Sequence, residues 1–123
     1  MQFETIIVSQ DGASFVITLN RPDRRNAFSV KMMKEIAEAC RGAEKDPSIR
    51  GIIVTGGKAY FSAGADLNEA MAIKTTADGV AYMKNWEELN HAIEQLEKQL
   101  VSDRKSLTAD LEEKKAKVRG AKG

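Results

Sequence analysis

The glycine-flanked run Gly51-Ile52-Ile53-Val54-Thr55 constrains this chain more than any other segment. A short continuous apolar run between glycines reads as a strand buried on both faces. A long helical pattern precedes it, with Met32, Met33, Ile36, Ala39 and Cys40 at helical spacing. Ser29 stands at its start as an N-cap, whose hydroxyl accepts from the unpaired amides of a first turn. The helix is expected to stop between Gly42 and Asp46, and Pro47 confirms the break. Earlier still, Phe3, Ile6, Ile7 and Val8 form one β-rich run, and Phe15, Val16, Ile17 and Leu19 form another. Asp11-Gly12 between them makes the pair a hairpin. Asn20-Arg21-Pro22-Asp23 ends the second strand, because proline has no ladder donor and restricts its predecessor. Strand, long helix, strand is a crossover, so the second and third strands are expected to pair in parallel.

Beyond the apolar run, Gly56 to Leu67 is rich in glycine and alanine and has little periodicity. A helical pattern resumes near Thr76-Ala77-Asp78. Val80, Met83, Trp86, Leu89, Ile93, Leu96 and Leu100 then step by threes and fours, the apolar stripe of a long amphipathic helix. After Leu100 the stripe thins to Leu107, Leu111 and Val118, and the lysine-rich end is expected to fray. Charge divides the chain at the same place: residues 1–98 are net −2, residues 99–123 net +3, and every aromatic precedes residue 99. We therefore read residues 1–98 as an α/β domain and residues 99–123 as a charged helical tail.

Several function classes fall away. A single cysteine, Cys40, cannot form an internal disulfide. With a single histidine, His91, it makes no zinc site, and no metal is expected. No apolar run approaches the roughly 18 residues of a membrane span. The N-terminus lacks the basic-then-apolar order of a signal peptide, which leaves the cytoplasm as the expected compartment. A formal charge of +1 argues against a nucleic-acid partner, since phosphate-binding domains carry a basic excess.

The chemistry points to the loop after the apolar strand. Small residues let a ligand approach the main chain. The amides of Gly64, Ala65 and Asp66 are placed to donate to an oxyanion, a phosphate or a ring nitrogen, and a helix start would add positive dipole. The same composition also suits a tight turn that merely packs closely. No Gly-Lys-Ser/Thr ends the loop, so it is not a P-loop, and its glycine spacing does not match a dinucleotide fingerprint.

Two segments, V-I-T-L-N-R-P-D-R-R-N-A-F-S (16–29) and G-I-I-V-T-G-G-K-A-Y-F-S-A-G-A-D-L (51–67), resemble the enoyl-CoA hydratase/isomerase (crotonase) superfamily. Their separation by one helix matches too, and the resemblance runs over about residues 3–98. It implies part of a crotonase-type ββα spiral, here with a long C-terminal helical extension. It implies an acyl-CoA thioester as substrate, hydrated at a 2,3-double bond or isomerised, with no covalently bound cofactor. The amide of Ala65 would be one of two oxyanion donors to the thioester carbonyl as it becomes an enolate. Ala63, Asp66 and Leu67 would line the coenzyme A adenine pocket, Gly64 would also be a substrate- or CoA-binding residue, and Arg24, Arg25 and Ala27 would wrap the nucleotide end, where arginine can pair with phosphate. The bland alternative for both arginines is a solvated turn.

At Gln99 the sequence departs from the family. The expected proline, apolar strand and second glycine-rich turn do not follow, nor do the positions of the acidic acid/base residues. Glu69, Glu87, Glu88 and Glu94 are carboxylates without such a motif; Glu87, Glu88 and Glu94 lie off the apolar stripe and read as solvated helix charges, while Glu69 closely follows the loop. His91 reads as a surface residue, Cys40 and Trp86 as core. The expectation is weak or no turnover. The alternatives are a catalytically inactive CoA-binding module, a helix-mediated assembly module, or a truncated product arising by frameshift or an alternative splice end. An unpaired apolar strand edge would favour self-association, a homo-oligomer included.

Overall fold

A computed structural model describes residues 2–96. Strand β1 (Ile6–Asp11) and strand β2 (Ser14–Leu19) pair antiparallel, closing on Asp11 opposite Ser14. The turn is Gly12-Ala13, with Gly12 at φ 60°, a left-handed conformation that glycine enters without steric cost. Helix α1 (Val30–Glu44) follows, capped as expected: the Ser29 hydroxyl accepts from the Met32 amide at 3.1 Å. Strand β3 (Gly51–Thr55) then pairs in parallel with β2, Ser14 opposite Gly51 and Thr18 opposite Thr55. The sheet order is β1-β2-β3. Helix α2 (Leu67–Met71) and helix α3 (76–96) complete the described chain.

The core lies between the sheet and the helices. Ile6, Ile17 and Leu19 from the sheet meet Met32, Met33, Ile36 and Cys40 from α1 and Leu89, Ala92 and Leu96 from α3. The second turn of α1 also holds the entry to β1. The Glu35 carboxylate accepts from the amides of Glu4 and Thr5, both at 2.8 Å, and from the Thr5 hydroxyl.

Two expectations are corrected. β3 is not buried on both faces: Ile52 and Val54 pack inward, whereas Ile53 is 49% exposed. The apolar run lines up as a strand with one covered side among the described residues. The α3 stripe is also rotated from its expected register. Leu89, Ala92 and Leu96 are buried and Tyr82 and Trp86 pack against them, but Val80 and Met83 are 55% and 52% exposed. Apolar residues occupy more than one face of this helix, and spacing alone does not say which face meets the sheet. The tail (99–123), including Leu100, Leu107, Leu111 and Val118, lies outside the described residues, as does any self-association built on it.

Two side chains test the packing. Among the described residues the buried Tyr82 hydroxyl has no hydrogen-bond partner, a configuration that costs free energy. Tyr82→Phe is expected to leave stability unchanged or raise it by about 1 kcal/mol, read by urea unfolding; a clear loss would contradict the packing described. Cys40 has no exposed surface, and burial pushes its thiol from 9.0 up to about 11 against the opposing charge of Arg41. The folded chain keeps this proton where the unfolded chain releases it. The group's contribution to stability is therefore intact below pH 9.0 and declines as pH rises toward about 11. Labelling of Cys40 by a disulfide reagent is expected to be no faster than unfolding; rapid labelling in native buffer would contradict this.

Candidate functional site

The segment from β2 to α1 and the loop from β3 to α2 are hydrogen-bonded along their length. After β2, a 3-10 turn over Pro22–Arg24 ends in two left-handed residues, Arg25 at φ 52° and Asn26 at φ 57°. Asparagine tolerates this conformation better than most residues. Asn26 is buried, and its side chain works in two directions. Its Oδ1 accepts from the Arg21 amide at 2.8 Å, and its Nδ2 donates to the carbonyls of Gly56 (3.2 Å) and Phe61 (3.1 Å). One amide group thus holds both ends of the 56–61 turn.

The next contacts set the loop in register. The Ala63 amide donates to the Arg25 carbonyl (2.9 Å), and the Ser62 hydroxyl donates to the Asn26 carbonyl (2.6 Å). The Phe28 amide donates to the Gly64 carbonyl (2.7 Å), and the Asp66 amide donates to the Phe28 carbonyl (3.1 Å). These last two bonds form a parallel bridge between Phe28 and Ala65. In such a bridge one residue uses both of its main-chain groups, here Phe28, while those of the residue opposite point away. Among the described residues no acceptor is paired with the Ala65 amide. Gly64, at φ 107°, supplies the bend. The Phe28 ring lies between Phe61 (centroids 6.3 Å apart) and Trp86 (5.7 Å), which joins the loop to α3.

This corrects the expectation of three donating amides. The Gly64 amide donates to the Ser62 hydroxyl (3.0 Å) and the Asp66 amide to Phe28, so Ala65 alone of the three retains an uncommitted amide. The Asp66 side chain is committed as well. It caps α2 by accepting from the amides of Asn68 (2.9 Å) and Glu69 (3.2 Å), and its other oxygen meets Arg21 at 3.1 Å. Burial works to raise the Asp66 carboxyl, but the Glu69 amide, the Arg21 guanidinium and the Asn68 amide outweigh it and hold it below 3.8.

A cavity of about 480 Å³ opens beside the bridge, lined by Arg24, Ala27, Ala63, Ala65, Asp66, Leu67 and Asn68. Six of the eight residues singled out in the sequence share it. Arg25 and Gly64 are not in its lining. Arg25 instead turns the chain and presents its carbonyl to Ala63. Of the carboxylates weighed above, Glu69 accepts from the Val30 amide at 2.8 Å, tying α2 to the first turn of α1. Glu87, Glu88, Glu94 and His91 are exposed on α3. No cluster of metal-ligating side chains occurs among the described residues, and among them no helix is long and apolar enough to cross a membrane. The residues that sequence reasoning missed are Arg21, Asn26 and Ser62. Only Asn26 carried a local signal, as an asparagine just after a proline turn.

Comparison with known proteins places this geometry in context. The enoyl-CoA hydratase/isomerase family model matches residues 10–105. A probable enoyl-CoA hydratase of Mycobacterium bovis is 45% identical over 78 residues, 63% of this chain and 30% of the relative. Human ethylmalonyl-CoA decarboxylase is 39% identical over 79 residues, 62% of this chain and 26% of the relative. The crystal structure of an enoyl-CoA hydratase/carnitine racemase from Magnetospirillum magneticum superposes with a TM-score of 0.70 at 30% identity, over 75% of this chain and 35% of that one. The chain thus spans between about a quarter and a third of the length of these relatives.

Proposed function

The chain belongs to the enoyl-CoA hydratase/isomerase family, and from that membership we propose that the 24–28 segment and the 62–67 loop bind a coenzyme A thioester, with the Ala65 amide donating to its carbonyl. The observation that carries this reading is the Ala65 amide itself, uncommitted within the described chain and sited in a cavity wall. An enolate places negative charge on the carbonyl oxygen. A donor fixed beforehand by the Phe28 bridge stabilises that charge without reorganising. Arg24 provides a cation to the phosphates of the nucleotide. Asp66 has both main-chain groups engaged, its amide with Phe28 and its carbonyl with the Ala70 amide at 3.0 Å, so contacts to the adenine ring fall to Ala63 and Leu67. In the complete family reaction, water adds to a 2-enoyl thioester or a proton moves along the acyl chain, and this unit contributes one of the two oxyanion donors.

Calorimetric titration with coenzyme A tests the proposal. Binding is expected to weaken as salt screens the phosphate contact. Arg24→Ala is expected to lower affinity by roughly tenfold, the loss of one charge-assisted hydrogen bond. No detectable binding by a folded sample, or binding indifferent to both salt and Arg24, would overturn it.

A further inference from the structure

We propose that Arg21 is a positioning residue for the Ala65 amide; this rests on the reading of Ala65 as an oxyanion donor. A single guanidinium nitrogen of Arg21, Nη1, donates to the Ala27 carbonyl at 2.6 Å and to Asp66 Oδ2 at 3.1 Å. Ala27 and Asp66 are the immediate chain neighbours of Phe28 and Ala65, the two residues of the bridge. Arg21 therefore ties the two cavity walls together one residue away from the donor. Both side chains of the ion pair are largely buried, at 18% and 10% exposure, so water does little to loosen it.

Arg21 is itself held at the backbone. Its amide donates to Asn26 Oδ1 at 2.8 Å, and its carbonyl accepts from the amides of Arg24 (3.0 Å) and Asn26 (2.8 Å). The guanidinium reaches across from a fixed base. Without it, the walls keep their main-chain bonds and the side-chain bonds of Asn26, Ser62 and Glu69, but they lose the side-chain tie between the residues next to Phe28 and Ala65, and the Asp66 carboxylate that caps α2 loses its counter-charge. Lysine keeps the charge, but its shorter reach and strongly hydrated ammonium suit a largely buried pair of acceptors less well.

The test uses the full chain and butyryl-CoA labelled with ¹³C at the thioester carbonyl. Isotope-edited infrared spectra report how strongly the bound carbonyl is hydrogen-bonded. The ¹⁵N amide resonance of Ala65 reports the donor without ligand. In the unsubstituted chain, the carbonyl stretch is expected to fall on binding. Arg21→Met is expected to lose that fall and to move the Ala65 resonance, while Ile17 and Ile36 in the core stay in place. Arg21→Lys is expected to restore part of the fall. Asp66→Asn, which keeps a capping side chain, is expected to lie between Arg21→Met and the unsubstituted chain. An Arg21→Met chain with an unmoved Ala65 resonance and a full carbonyl fall would overturn the proposal. If Arg21→Met disturbs Ile17 and Ile36, Asp66→Asn decides: a chain indistinguishable from the unsubstituted one in both readouts overturns the proposal. If the unsubstituted chain binds without any fall, the thioester reading is what fails, and the Ala65 resonance in the ligand-free variants still decides the role of Arg21.

Discussion

Gly56→Ala is expected to unseat the loop that carries Ala65. A β-carbon at Gly56 would overlap the carbonyl oxygens of Tyr60 and Phe61 and the Phe61 α-carbon. All of these are main-chain atoms, so no side chain can swing aside to make room. The turn over 56–61 must open, and opening it breaks the bonds from Asn26 Nδ2 to the Gly56 and Phe61 carbonyls. Overpacking of this kind costs about 1–3 kcal/mol, and each lost hydrogen bond adds about 1 kcal/mol. The sum, on the order of 3–5 kcal/mol, is a large part of the stability of a small domain. Gly51→Ala is the control, because nothing lies within 4 Å of its added β-carbon and its φ is not positive. Urea unfolding of both variants reads the difference; equal midpoints would show that the close approach at Gly56 does not constrain the loop.

Ala65→Pro separates function from fold in the opposite sense. The substitution deletes the one amide proton of this loop region that serves the proposed chemistry, and that proton makes no bond within the described chain. The bridge survives in principle, since its bonds run through the main-chain groups of Phe28, Gly64 and Asp66. Circular dichroism is expected to keep the folded signature, while the unfolding midpoint falls to the extent that proline constrains Gly64, at φ 107°. Any enolate-forming turnover is expected to fall by about 10²–10³, the usual cost of one oxyanion donor. Turnover or carbonyl polarisation unchanged in a folded Ala65→Pro chain would remove Ala65 from the mechanism.

What the sequence disclosed was largely local. The hairpin followed from two β-rich runs around Asp11-Gly12, the start of α1 from Ser29, and the parallel pairing from the crossover. The first two are decided by residues close in the chain; the parallel pairing joins residues 37 apart, Ser14 with Gly51, and was legible because a strand, helix, strand order leaves few ways to connect. β3 was read correctly as a strand but not in its exposure, because an apolar residue such as Ile53 does not state what covers it. α2 was missed although Asp66-Leu67-Asn68-Glu69 has the spacing of a capping box. Its glutamate does not return to the cap amide as the box would have it; that amide is held by Phe28, and Glu69 turns to Val30 instead. The cavity residues were legible through their family resemblance and their small side chains. Which amide stays available was not, because that depends on bonds between segments almost 40 residues apart in sequence, such as Phe28 with Gly64 and Asp66. Arg21 escaped for the same reason: its partner Asp66 is 45 residues away, and an arginine before a proline carries no mark of it.

The most direct test of the central claim is amide chemical-shift mapping while an acyl-CoA thioester is titrated into the ¹⁵N-labelled chain. The account predicts that the Ala65 resonance moves furthest, accompanied by Arg24, Ala63 and Leu67 around the cavity, while β1 and the buried face of α1 stay still. Saturating shifts confined to another surface, such as the exposed Val80 and Met83 face of α3, with Ala65 unmoved, would contradict it.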